Sequence, residues 1–175
     1  YSNLGISLLG HLLGTVAGAT WRELLDRRLL HPLGLADTFA PGGPGSLEAE
    51  APAGRTASGL SAGAWTNPGY GPSSTMRSTA ADLSAHLRSM MDGSNPGAAG
   101  LDPVLELSST SSVAITWHLR DHGGQRIISH NGMTGGFASF CGWNRDTGRA
   151  VVLLTATALA PEELGAGFLE GRVDL

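Results

Sequence analysis

Arg126-Ile127-Ile128-Ser129-His130, then Asn131-Gly132-Met133-Thr134-Gly135-Gly136, then Phe137-Ala138-Ser139-Phe140-Cys141-Gly142-Trp143 is the stretch on which the fold turns. Residues 126–130 and 137–143 are dense in β-branched and aromatic side chains, and the segment between them is rich in glycine. The stretch therefore reads as two strands joined by a tight connection. Just upstream, Val113, Ile115, Trp117 and Leu119 alternate with Ala114, Thr116, His118 and Arg120, the period of one half-buried strand. Just downstream, Asp146-Thr147-Gly148 supplies a hairpin turn into a strand over 150–156, and a helix from Pro161 to about Glu170 closes the chain. Val151, Val152, Leu153 and Leu154 are apolar on both faces, so this last strand reads as central and covered on both sides. No strand follows it, so its second edge calls for a neighbour from elsewhere, and the exposed edge of 150–156 predicts self-association.

The first half of the chain has a different period. Leu4, Leu8, Leu9, Leu12, Leu13 and Val16 share one helical face, with Ser2 or Asn3 as cap and Gly18 as stop. Thr20 and Glu23 form a capping box for a second helix that runs through Leu30 and is expected to end at Pro32. Residues 31–75 hold most of the prolines and show no clear period, a long irregular crossing. Thr79 and Asp82 make another box, opening a helix to about Met91, and a short helix is expected after Asp102. Helices first and an antiparallel meander after make the fold α+β, divided into a helical lobe over 1–112 and a sheet lobe over 113–175.

Composition narrows the functional classes. Of 175 residues 41% are hydrophobic and 15% charged, a globular balance with a net charge of −4 and no basic cluster for nucleic acid. No apolar run is long enough for a membrane span. The single cysteine, Cys141, excludes an internal disulfide, and nothing in the sequence calls for a metal or other cofactor. All 11 basic residues are arginines, so no mechanism needing a lysine base can run on this chain alone. The Arg-, Ala- and Gly-rich usage hints at a bacterial gene and leaves exported, periplasmic and cytoplasmic locations open. A chain opening on Tyr1, inside what reads as a motif, is expected to be a fragment or a processed product.

Two short motifs carry chemistry: Tyr1-Ser2-Asn3 at the entry to the first helix, and His130-Asn131-Gly132 followed by Met133-Thr134-Gly135-Gly136-Phe137. Each alone is weak, and the two in this order are far more specific. Together with Leu4-Gly5, Leu33-Gly34-Leu35-Ala36-Asp37-Thr38, Ser78-Thr79-Ala80-Ala81-Asp82-Leu83 and the Gly148–Thr155 strand, they resemble the serine β-lactamase-like family of class C β-lactamases, DD-peptidases and esterases. The resemblance covers nearly the whole chain. It implies a helical lobe beside an antiparallel sheet flanked by helices, with the active site between them and the amino-terminal strands and nucleophile helix missing.

That family builds its site from Ser-x-x-Lys, Tyr-x-Asn and Lys- or His-x-Gly, and only the last two motifs occur here. By the resemblance, an acyl-serine forms and is then hydrolysed, with Tyr1 relaying protons. A free tyrosine titrates at about 10, so that role needs positive charge nearby. Asn3 would bind the substrate amide and His130 would act as donor or proton shuttle. Asn131 and Gly132 would line the substrate strand, and Met133 would give its backbone N–H to the oxyanion hole. Gly132 and Gly135 would let substrate and chain approach closely. His130 in place of the lysine of antibiotic-hydrolysing members points to a broader acyl hydrolase acting on a β-lactam, a D-amino-acid peptide or a small ester.

Rival readings are weaker. Gly59-Leu60-Ser61-Ala62-Gly63 matches a nucleophile elbow, yet its flanks are small, polar and proline-rich where an elbow needs a buried strand and a helix. His118 and His122, four apart on a strand, do not gather metal ligands as they would on a helix, and they read as surface positions. Trp117 and Trp143 read as core aromatics, and Cys141 as a buried small hydrophobe. Two functions therefore stay open for the chain: part of a serine hydrolase that is inactive alone without Ser-x-x-Lys, or a non-catalytic ligand-binding relative.

Overall fold

The computed structural model describes residues 2–42 and 52–175. Helix α1 runs over Asn3–Val16, with the Ser2 hydroxyl accepting from the Gly5 N–H at 3.1 Å. Its leucine face does not point into a core. Leu4, Leu8, Leu12 and Val16 are between 52% and 86% exposed, whereas the buried positions are Ser7 and Gly14. Small residues bring α1 close to its neighbours: Ser7 hydrogen-bonds Ser73 at 2.8 Å, and a Cβ on Gly14 would lie 2.7 Å from the Trp21 nitrogen.

Helix α2, Trp21–Leu25, opens with the expected capping box between Thr20 and Glu23. It does not stop at Pro32. The chain widens into a π-turn over Asp26–Leu30 and continues as α3, His31–Leu33. A regular α-helix would drive the proline ring into the carbonyl of Arg28, and the wider i→i+5 spacing carries the helix past that clash. Gly34, at φ +66°, ends it, with Gly34 N–H on His31 O and Leu35 N–H on Leu30 O in a Schellman arrangement.

After a single 3-10 turn at Pro68–Tyr70 and the one-turn helix α4, Gly71–Ser74, helix α5 spans Ala80–Asp92. Only half of its expected box forms. The Thr79 hydroxyl caps the Asp82 N–H, but the Asp82 carboxylate accepts from Asp37 N–H at 2.9 Å and Thr38 Oγ1 at 2.7 Å. The two sequence segments Leu33–Thr38 and Ser78–Leu83 are thus one hydrogen-bonded clamp.

Six antiparallel strands follow in simple meander order: β1 Leu105–Ser108, β2 Ser111–Val113, β3 His118–His122, β4 Gln125–Met133, β5 Ala138–Asn144 and β6 Ala150–Thr155. The short helix expected after Asp102 lies before it, as a 3-10 turn over Ala98–Leu101, and the exposed strand β1 takes its place. The single strand expected over 113–120 is two strands, because the chain reverses at a turn closed by Ala114 N–H on Trp117 O. The apolar–polar alternation of the sequence continues through that reversal and so hides it, but burial changes phase there: Ala114 is buried and Ile115, expected inward, is 64% exposed.

Helices cover both faces of the sheet's second half. On one face Leu87 and Met90 of α5 pack with Ile128, Trp143, Trp117 and Val152. On the other, helix α6, Glu162–Leu169, seats Leu169 against Ile127, Phe140 and Val151. The apolar run of β6 is therefore covered on both faces at Val151, Val152 and Leu153, as expected, although β6 is the edge of the sheet and Leu154 is 42% exposed. Where α6 crosses β5, a Cβ on Gly165 would lie 2.2 Å from the Phe140 ring. Gly165→Ala is expected to lift α6 and cost about 1–3 kcal/mol, read as a lower urea midpoint with an unchanged slope.

No single helix among the described residues is long and apolar enough to cross a membrane. Residues 3–16 and 21–33 pass that test only as a pair bent by 82°.

Candidate active site

Strand β4 outruns its neighbour. Strand β3 begins at His118, which pairs with Ser129, so residues 130–133 keep β5 on one side and, among the described residues, have no strand on the other. The hydrogen-bond phase follows from the turn. Thr134 donates to Phe137 O at 2.9 Å, which makes 132–139 and 130–141 the bonded pairs with β5. The N–H and C=O groups of Asn131 and Met133 consequently face the open edge. An extended substrate could add there as a further strand, and the Met133 N–H is available to an oxyanion.

Side chains alternate across the same strand. His130 lies on the α5 face with Ile128, where Trp117 meets its ring edge-on at a centroid distance of 6.4 Å. Trp117 in turn meets Trp143 at 5.1 Å and stacks on His86 at 6.4 Å, so the aromatic core fixes the orientation of the His130 ring. Burial pushes His130 below the ordinary imidazole value, helped by the neighbouring His118, while a backbone hydrogen bond at Asn131 works the other way. Its ring is thus neutral near pH 7, the form a proton acceptor needs.

Asn131 is on the other face, and its amide donates to Glu162 Oε2 at 2.9 Å. Its side chain is placed away from the face that His130 occupies, leaving only its backbone on the open edge. Met133 is 64% exposed, and a Cβ on Gly132 would meet Ser139 Oγ at 3.1 Å. Gly135 has open space around it, so the close approach that sequence reading assigned there belongs to Gly136. A Cβ on Gly136 would sit 2.8 Å from Gly54 Cα, and Arg55 N–H bridges Gly136 O and Ala156 O. The 52–62 loop thereby braces the turn behind the site. Asn3 opens α1, and Tyr1 lies outside the described residues.

The rival groups fall into place. Ser61 pairs with Arg55 in an isolated bridge inside that loop, with no strand-to-helix turn, so the elbow is absent. Cys141 faces the core opposite His130, where burial pushes its thiol up to about 11, and it is no nucleophile at neutral pH. Among the described residues no group of three or more His, Cys, Asp or Glu side chains could hold a metal. Sequence reading missed the ring cluster of His86, Trp117, His130 and His118, because its members are brought together by a helix and a strand reversal that periodicity does not show.

His86 adds a pH dependence. Asn95 Oδ1 accepts from Gly97 N–H, which turns its amide nitrogen toward His86 Nδ1 at 3.1 Å, so that ring nitrogen must be an unprotonated acceptor. Burial lowers the pKa of His86 as it does that of His130. Both native values lie below the unfolded one, so the unfolded chain takes up protons first on acidification. Their stabilising contribution is complete above about pH 6.5 and is lost as pH falls through the lowered native values. Urea midpoints are expected to fall between about pH 7.5 and pH 5.5, and less steeply in His86→Asn.

The sequence profile of the beta-lactamase family matches residues 1–169. The chain belongs to that family. A human relative described as putative beta-lactamase-like 1 is 31% identical over 150 residues, covering 79% of this chain and 30% of that protein. A penicillin-binding protein from Bacillus halodurans shares the fold at a TM-score of 0.83 and 16% identity, covering 99% of this chain and 56% of that one. A D-alanine carboxypeptidase from Burkholderia cenocepacia does so at 0.82 and 17% identity, covering 99% and 60%. The chain therefore spans between about a third and three fifths of the length of these relatives, and its fold is the corresponding part of the β-lactamase/transpeptidase architecture.

Proposed function

We propose that this chain is the part of a serine acyl hydrolase that supplies the substrate strand, the proton-handling groups and half of the oxyanion hole. The observation that carries the reading is the open end of β4, where His130 stands beside a backbone edge, ending at Met133, that no strand of the described residues pairs. Tyr1 and Asn3 would act from the start of α1, Tyr1 as proton relay and Asn3 on the substrate amide. The substrate would be an acyl compound of the β-lactam, D-amino-acid peptide or small-ester class.

The chain alone cannot complete that chemistry. With no lysine anywhere in the sequence it holds no Ser-x-x-Lys, and so lacks both the nucleophile and the charge that would activate Tyr1. The uncovered leucine face of α1 and the free edge of β6 support the same reading, since each is a surface suited to further protein.

The test is direct. Incubated with a chromogenic cephalosporin or a p-nitrophenyl ester, the isolated chain is expected to give no burst of product. Stoichiometric labelling by a serine-directed phosphonate would overturn this. The coding sequence upstream of Tyr1 is expected to encode Ser-x-x-Lys, and a complete lobe without it would favour the second reading, a ligand-binding relative that retains the groove without catalysis.

A further inference from the structure

His118 is the first residue of β3, standing where that strand leaves the edge of β4 open, and its ring centroid is 5.8 Å from that of His130 with the planes tilted by 38°. Two imidazoles that each bind one metal ion through a nitrogen at roughly 2.1 Å, at a near-tetrahedral angle, place their centroids about 5 Å apart. The observed separation is within a small side-chain rotation of that value.

We propose that His118 and His130 form a two-histidine site for a divalent transition metal of the zinc, nickel or copper class at the open end of β4. The donor chemistry suits those ions, because neutral imidazole is a favoured ligand for them and a poor one for calcium or magnesium. His130 is held in orientation by Trp117, so only the exposed His118 ring has to adjust. No third protein ligand joins the pair among the described residues, and water completes the coordination.

Occupancy would draw on the ring that the hydrolase reading uses for proton transfer, so a bound metal would inhibit. That consequence rests on the proposed function; the site itself does not. Titration of zinc chloride into the full chain by calorimetry at neutral pH separates them, because it needs no turnover.

One site saturating below about 1 mM zinc is expected, weakened at least about tenfold in His118→Asn and in His130→Asn. His122→Asn is the control, since His122 sits beside Glu170 at 3.5 Å and forms the alternative pair. It is expected to leave the titration unchanged. His118 is exposed, so its variant keeps the fold even if the His130 variant does not, which circular dichroism checks. An unchanged isotherm in His118→Asn, loss of binding in His122→Asn, or no zinc binding by the parent chain would each overturn the site.

Discussion

Asn144→Ala is expected to cost about 3–4 kcal/mol, lowering the melting temperature by roughly 10 °C and leaving little folded protein under mild denaturant. Asn144 is completely buried at the end of β5. Its amide nitrogen donates to Gln125 Oε1 at 2.8 Å and to Leu169 O at 2.9 Å, while its oxygen accepts from the Asp146 and Thr147 N–H groups. The alanine variant frees four partners at once. The turn N–H groups and Gln125 can reach water, but the carbonyl of Leu169 belongs to a residue with no exposed surface. An unmet buried carbonyl accounts for about 1–3 kcal/mol, and the vacated side-chain volume adds to it. Asn144→Asp discriminates this account from simple cavity formation. Aspartate fills the space and still accepts from the turn, yet it sets an oxygen against the Leu169 carbonyl. It is expected to be at least as damaging as alanine. Near-native stability of the aspartate variant in chemical denaturation would contradict the assignment.

Where the sequence was legible, local chemistry was decisive. The box at Thr20, the Thr79 cap on Asp82 N–H, the turn at Asp146–Gly148 and the strands beside His130 depend on neighbours within a few residues, whereas the other half of the Thr79 box was lost to Asp37 and Thr38, far off in sequence. Pro32 misled because its usual effect on a helix was relieved by a π-turn, a backbone choice that leaves no side-chain signature. The reversal after Ala114 was hidden because the apolar–polar pattern of the sequence continues through it, although the structure buries Ala114 and exposes Ile115. The leucines of α1 misled in another way: apolar residues at helical spacing say that a face will be covered, and not by what. At the site, the sequence picked out His130 through its motif. It read Trp117 as a core aromatic and His118 as a surface position, as the structure has them, but could not show their closeness to His130, which comes from pairing between β3 and β4 and from packing against α5. Asn131 shows the same limit from the other side, since neighbouring residues on a strand face opposite ways and a contiguous motif does not make a contiguous surface.

Asp82→Ala is expected to cost about 2–4 kcal/mol and to loosen the turn that follows the site, whereas Asp82→Asn should cost only about 1 kcal/mol. The two differ because Asp37 N–H and Thr38 Oγ1 both donate to the same oxygen, Oδ2, which an asparagine carbonyl can replace. Only the share of bond strength that comes from the charge is then lost. The clamp reaches beyond α5. Thr38 also contacts Ser78 Oγ at 2.7 Å, and the next residues, Phe39 and Arg77, form a two-way backbone bridge. That bridge carries the Arg77 guanidinium over the Phe137 ring, 5.3 Å from its centroid, at the foot of the β4–β5 turn. Removing the carboxylate therefore releases, in order, the Asp37–Thr38 turn, the Phe39–Arg77 bridge and the lateral support of Phe137. Hydrogen exchange is the measurement that separates local from global loss. In Asp82→Ala the amides of Arg77, Phe39 and Thr134 are expected to lose more protection than those of Ile127 and Ile128, while Asp82→Asn keeps the parent pattern. Uniform loss across the sheet would mean that the clamp stabilises the fold without bearing on the open end of β4.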